Sequence, residues 1–224
     1  MIEQNEIFNE VQDNLGLWCA DSCSGADLAA ATGVAITNKL RAVSVLPDAV
    51  PELWPWLEDT NIKIITRFVV DGGIDDSFMS GFVPRISAAF RDGADGAIVF
   101  IKFRDLSRFA SELMYVRDDL FFNKTLSIGL DINEIEHTDW DVVFKIMQSL
   151  QADSLTITLS YDDGDKSDFV GRVYAMLNAN MGEWHGALQF VLGEDIARID
   201  QVYRLIQQLR FNMVPNLLFW INNE

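Results

Sequence analysis

Apolar residues along this chain gather into short runs rich in β-branched side chains. Each run is followed by a polar or glycine-containing stretch and then by a longer segment with helical spacing. Eight runs stand out: LWCA (17–20), AVSVL (42–46), IKIITRFVV (62–70), GAIVFIKF (96–103), LSIGLDI (126–132), SLTITLS (154–160), GALQFVL (186–192) and VPNLLFWI (214–221). Near-continuous hydrophobic runs that begin roughly 20–35 residues apart predict parallel strands, each returned by a crossover helix. The segments 78–94, 108–122, 140–152, 169–181 and 196–211 place apolar residues at i, i+3, i+4 and i+7 and predict amphipathic helices. The first two connections, GADLAAATGVAITNKL (25–40) and VPELWPWLEDT (50–60), carry the helical pattern more weakly.

Eight β–α units without an intervening linker predict an α/β chain forming one (β/α)8 TIM barrel over residues 1–224. The sequence runs only from 222 to 224 beyond the eighth apolar run, so the last helix is expected to be missing. The segment EQNEIFNEVQDNLG predicts an N-terminal helix at about 3–14, which would close the bottom of the barrel instead.

Composition leaves this picture unchanged and narrows the partners. The chain is 49% hydrophobic and 23% charged, with a net charge of −17. A field of that sign repels nucleic acid and anionic membrane. No apolar run reaches the ~18–20 residues that span a bilayer, and the N-terminus is too acidic for a signal peptide. The expectation is a cytoplasmic protein. The two cysteines, Cys19 and Cys23, make neither a disulfide framework nor a zinc site, and DDGDKSD (162–168) reads as a solvated loop. No cofactor and no metal are expected.

In such a barrel, chemistry sits on the loops that follow the strands. Here those loops form an acidic rim. Gly193 is followed directly by Glu194 and Asp195, two carboxylates that would repel a phosphate, so a small ligand at this mouth is expected to be unphosphorylated. Lys102 is unusual as a lysine at the end of an apolar strand. Pointing inward it would be partly desolvated, and a desolvated amine is a nucleophile for carbonyls. Asp131 at the end of strand 5 and His137 on the loop after it are the candidates for proton transfer. His185 precedes strand 7, on the opposite face, and reads as structural.

Several stretches resemble the deoxyribose-phosphate aldolase family, class I aldolases built on an aldolase-type barrel. Pro47-Asp48-Ala49-Val50-Pro51 is similar to the family's loop after strand 2, IKIITRF (62–68) to its third strand, DGADGAIVF (92–100) to its entry into strand 4, and QADSLTITLS (151–160) to its sixth strand. The resemblance spans about 50–200. It implies the fold but not the chemistry. The family's Schiff-base lysine falls at Thr156, its second lysine at Phe190, its Gly-Gly phosphate loop at Gly193-Glu194 and its strand-4 aspartate at Ile98. Deoxyribose-phosphate cleavage is therefore expected to be absent. Lys102 is similar in placement to the strand-4 lysine of transaldolase-like enzymes, which implies a lyase acting on a small, sugar-like carbonyl compound, with Lys102 as nucleophile and Asp131 or His137 moving the proton.

The alternative is a catalytically silent barrel that binds a small molecule or serves as an interaction subunit. A missing eighth helix would leave apolar surface for a second copy to cover, giving a homo-oligomer. A mouth plugged by Phe100, Phe190 and Phe219 would favour this alternative. A Lys102 in an open cavity beside Asp131 or His137 would favour the enzyme.

Overall fold

The computed structural model describes residues 6–70, 74, 76–159, 168–193 and 195–222. Expectations placed on residues 3–5, on most of the acidic loops 71–76 and 160–168, on Glu194 and on 223–224 lie outside the described residues. The strands are β1 (Leu15–Trp18), β2 (Ala42–Val45), β3 (Lys63–Val70), β4 (Gly96–Ile101), β5 (Thr125–Asp131), β6 (Ser154–Thr158), β7 (Ala187–Val191) and β8 (Leu217–Asn222). They pair in sequence order, all parallel, and β8 pairs back onto β1 through Leu17 and Ile221. This is the aldolase-type (β/α)8 barrel that the pattern of runs and the resemblance led to.

Strand alternation divides the side chains between two cores. Leu17, Val43, Ile64, Val99, Ile128, Leu155, Phe190 and Phe219 face outward and are buried with Leu28, Phe109, Phe144, Val173 and Ile206 of the helices. Each such side chain contributes about 1.5–3 kcal/mol on leaving water. The opposite parity points into the barrel, where Ala42, Ile98, Leu218 and Trp220 form a separate cluster with Trp18, Ile65, Phe100 and Val191 packed on it. The helical shell is α2 (Gly25–Thr37), α3 (Val50–Leu57), α4 (Asp76–Arg91), α5 (Phe103–Met114), α6 (Arg117–Leu120), α7 (Trp140–Ser149), α8 (Phe169–Asn178) and α9 (Ile196–Leu209).

The lower rim explains two of the short motifs. Asp95, of the GAD stretch, accepts a hydrogen bond from the Ile64 N–H (2.9 Å), and Asp153, of the QAD stretch, accepts one from the Leu126 N–H (2.8 Å). Each carboxylate thus satisfies a backbone donor at the start of the preceding strand, where the neighbouring strand has not yet begun to pair. These aspartates serve the fold, on the face away from the mouth.

At the ends of the chain one expectation is corrected. The described part of the N-terminal helix is α1 (Glu6–Val11), and a 3-10 turn over Gln12–Asn14 follows it directly. It packs on the outside, where Glu10 meets Arg204 of α9 at 2.7 Å, and the 3-10 turn after it reaches Asn38 at the end of α2 through Gln12. Only that turn holds the lower rim, through Asn14 donating to the Val214 and Leu217 carbonyls. No helix follows β8 among the described residues, yet the outward-facing Leu217, Phe219 and Ile221 are buried, at 0%, 0% and 5% exposure, within this single chain. The apolar gap expected between the first and last helices is therefore closed by the chain's own N-terminal segment. Among the described residues, no helix is long and apolar enough to cross a membrane.

Candidate functional site at the barrel mouth

The inward-facing side chains on the β8–β4 arc form a plug. Trp18 meets Phe100 and Trp220 edge-on, at 5.8 and 5.9 Å between ring centroids. Gly16 makes room for this on β1, since a Cβ there would lie 2.7 Å from the Trp220 ring. Above the rings lies Arg67 of β3, the only charged side chain buried among the described residues. Its guanidinium stacks over Trp18 at 4.2 Å and donates to the Cys19 carbonyl (2.8 Å), the Ser44 carbonyl (3.2 Å) and Asp21 Oδ1 (2.7 Å). Burial works against its charge, and Asp21 is the largest of the influences that restore it. Sequence reading passed over Arg67. The signal in the sequence was an arginine inside the apolar run IKIITRFVV, on the parity of Ile65 and Val69; that this parity faces inward is settled by the structure.

The β5–β7 arc is small and polar. Ser127 and Thr156 share a 2.7 Å hydrogen bond, Thr156 donates to Gln189 Oε1 (3.1 Å), Gln189 Nε2 donates to Ser154 Oγ (2.8 Å), and the Trp220 indole donates to Gln189 Oε1 (2.9 Å). Buried polar groups are tolerable when satisfied in this way. Thr156, the position where the resemblance puts the Schiff-base lysine, does point into the barrel, but as a hydroxyl within a closed network. Its neighbour on β7 is Gln189. The expected correspondent, Phe190, faces outward against Phe219, with 5.9 Å between ring centroids. The rings that close the barrel are thus Trp18, Phe100 and Trp220; of the three aromatic residues weighed as a plug, Phe100, Phe190 and Phe219, only Phe100 takes part. The reason is strand parity: Phe190 and Phe219 fall on the alternate set.

At the ends of β3 to β6 is a recess of about 140 Å³, lined by Val69, Val70, Phe100, Ile101, Lys102, Gly129, Asp131, Glu134 and Thr158. It brings together two of the three residues singled out by sequence, Lys102 and Asp131. Lys102 follows the last residue of β4 and is the N-cap of α5, and its side chain is exposed. The desolvation expected to activate its amine is missing, because the strand ends at Ile101 and the chain turns at once into the helix. Asp131 is half-buried and accepts from the Asn133 N–H at 2.8 Å. Glu134 accepts from the Phe103 N–H (3.0 Å) and so ties the loop after β5 to the start of α5. His137 is exposed and does not line the recess, and His185 is exposed on the opposite face. After β7, Asp195 accepts from the Arg198 N–H (3.1 Å) and pairs with the Arg198 side chain, occupying the N-terminus of α9 with the protein's own carboxylate. No group of three or more potential metal ligands occurs among the described residues.

Comparison with known proteins agrees with this geometry at the level of fold. No family model matches the sequence, and no curated protein matches it either. Solved structures do. A Toxoplasma gondii ME49 protein assigned as a deoxyribose-phosphate aldolase is similar at a TM-score of 0.71 and 16% identity, over 96% of this chain and 90% of that one. The tetrameric deoxyribose phosphate aldolase from Aeropyrum pernix is similar at 0.70 and 10%, over 94% and 86%. A Streptococcus agalactiae protein assigned as the copper homeostasis protein CutC is similar at 0.64 and 10%, over 93% and 97%. At such identities the likeness is one of architecture, and the same architecture serves unlike proteins. In fold, this chain is an aldolase-type barrel like the deoxyribose-phosphate aldolases.

Proposed function

We propose that this barrel binds a small, unphosphorylated molecule in the recess at its mouth and has given up Schiff-base chemistry in its interior. One observation carries the reading: Thr156 stands at the lysine position and is held in a closed network with Ser127 and Gln189, beneath a mouth filled by Trp18, Arg67 and Phe100. A carbonyl substrate has neither an amine to attack it there nor room to enter. What stays accessible is a space of about 140 Å³ with an ammonium, two carboxylates and the Thr158 hydroxyl on its walls, suited to a polar compound of a few heavy atoms. The carboxylates disfavour phosphate, and Asp195 already holds the helix N-terminus where many barrels bind one.

A second reading keeps carbonyl chemistry, through Lys102. It is favoured by the shared recess, in which the Lys102 amine could add to a carbonyl and Asp131 could move a proton from the nitrogen to the hydroxyl that leaves as water. One experiment separates the two. The protein is screened against short polyols, hydroxy acids, aldehydes and ketones by thermal shift, and each hit is then treated with borohydride and analysed by mass spectrometry. The first reading expects a saturable shift, lost in Thr158→Phe, with no covalent adduct. A borohydride-dependent adduct on Lys102, absent in Lys102→Ala, would overturn it in favour of the second.

A further inference from the structure

The loop between β1 and α2 carries both cysteines of the chain, and neither has a part in the recess. Cys19 is fully buried at the end of β1, its N–H bonded to the Ser44 carbonyl at 3.0 Å. The chain then turns, with the Cys23 N–H donating to the Ala20 carbonyl at 3.1 Å. That turn folds Cys23 back against the buried core cluster that contains Cys19. Cys23 is half-exposed and can meet a reagent from solvent, whereas Cys19 cannot. Between them lies Asp21, which with the Cys19 carbonyl anchors the Arg67 guanidinium.

We propose that Cys19 and Cys23 are a redox-active dithiol, oxidised to an intramolecular disulfide by low-molecular-weight disulfides. The step balances without a further reactant. The Cys23 thiolate attacks one sulfur of the small disulfide, forming a mixed disulfide and releasing one small thiolate. The Cys19 sulfur, after giving up its proton, then attacks the Cys23 sulfur, forming the internal bond and releasing the second small thiolate. The two protons leave on the two small thiols, so the protein is oxidised by two electrons and the small disulfide is reduced. Burial holds the Cys19 thiol protonated, pushing its pKa up to about 12, which assigns the first attack to Cys23 and the resolving step to Cys19. Only residues 20–22 lie inside the ring that closes. So short a loop gains little from chain entropy, and the half-exposed Cys23 sulfur leaves the bridge open to small reductants. Oxidation draws on the same segment that supplies two of the anchors of Arg67, so the guanidinium stacked on Trp18 reports it.

The test uses the full chain, folded and reduced, exposed to glutathione disulfide and then alkylated. Both cysteines fall in one tryptic fragment, 1–39. The expected product is that fragment lighter by two hydrogens and free of alkyl label, restored by dithiothreitol, with tryptophan emission shifting in step. Cys19→Ser is expected to stop at a stable glutathione adduct on Cys23. Cys23→Ser, altered at a half-exposed position, is expected to take up no adduct on Cys19. A wild-type chain that keeps glutathione on Cys23 while Cys19 stays free would overturn the proposal, and so would a Cys23→Ser chain whose Cys19 reacts as fast as in wild type.

Discussion

Inside the barrel, the arc from β8 through β4 carries Trp220, Trp18, Arg67, Ile98 and Phe100, whereas the arc of β5, β6 and β7 carries Ser127, Gly129, Ser154, Thr156 and Gln189. The first fills space with rings and one cation, the second with hydroxyls, an amide and a missing side chain. They fit because they differ. The Phe100 ring occupies the room left by Gly129, where a Cβ would overlap it, and the Trp220 indole finds its acceptor in Gln189. The large arc expels water, and the small arc must therefore satisfy its polar groups internally. The recess opens at the ends of β3 to β6, where the two arcs meet beside Phe100 and Gly129.

Four changes test how far each arc depends on the other. The largest effect is expected from Trp220→Ala, which empties the centre of the large arc and removes one of the two donors to Gln189 Oε1. Loss of a fully buried tryptophan costs about 3–5 kcal/mol, readable by chemical denaturation. Arg67→Ala comes next at about 2–3 kcal/mol, since two buried carbonyls lose a charged donor. The Asp21 contact adds little to that sum, because Asp21 is 75% exposed.

Gly129→Ala follows, at about 1–3 kcal/mol from overpacking against Phe100. Its cost should largely vanish in a Phe100→Leu background, and a double-mutant cycle measures that coupling. Additive costs would show that the two arcs are not matched at this point.

The smallest effect concerns pH. The Cys19 thiol is pushed up by burial from 9.0 to about 12. Unfolded chains then lose this proton near 9 while the folded chain retains it, so the native state binds more protons and stability falls as pH rises from about 9 towards about 12. Melting temperatures measured across that interval should decline less steeply for Cys19→Ala than for wild type. Equal slopes would show that burial does not hold the thiol protonated.

Much of this was legible in the residues themselves. Eight apolar runs at a regular spacing dictate eight parallel strands with crossovers, because a strand buried on both faces has to be hydrophobic along its length. Thr156 could be placed on strand 6, and Lys102 and Asp131 at the mouth, by counting alone. The single chain could not show which parity of a strand faces inward. In β7, Gln189 and Phe190 are adjacent, and a shift of one residue exchanges the polar network for an aromatic plug. That choice is fixed only when β6 and β8 register against β7, pairing Thr156 with Gln189 and Phe190 with Phe219. Nor could the pattern show that β4 ends one residue before Lys102, which leaves the amine exposed, or that α1 lies beside α9 and covers β8. The sequence determined the barrel, because hydrophobic periodicity is local. Tertiary structure decided what fills it and what its mouth can hold, because those depend on side chains that meet from strands far apart in the chain.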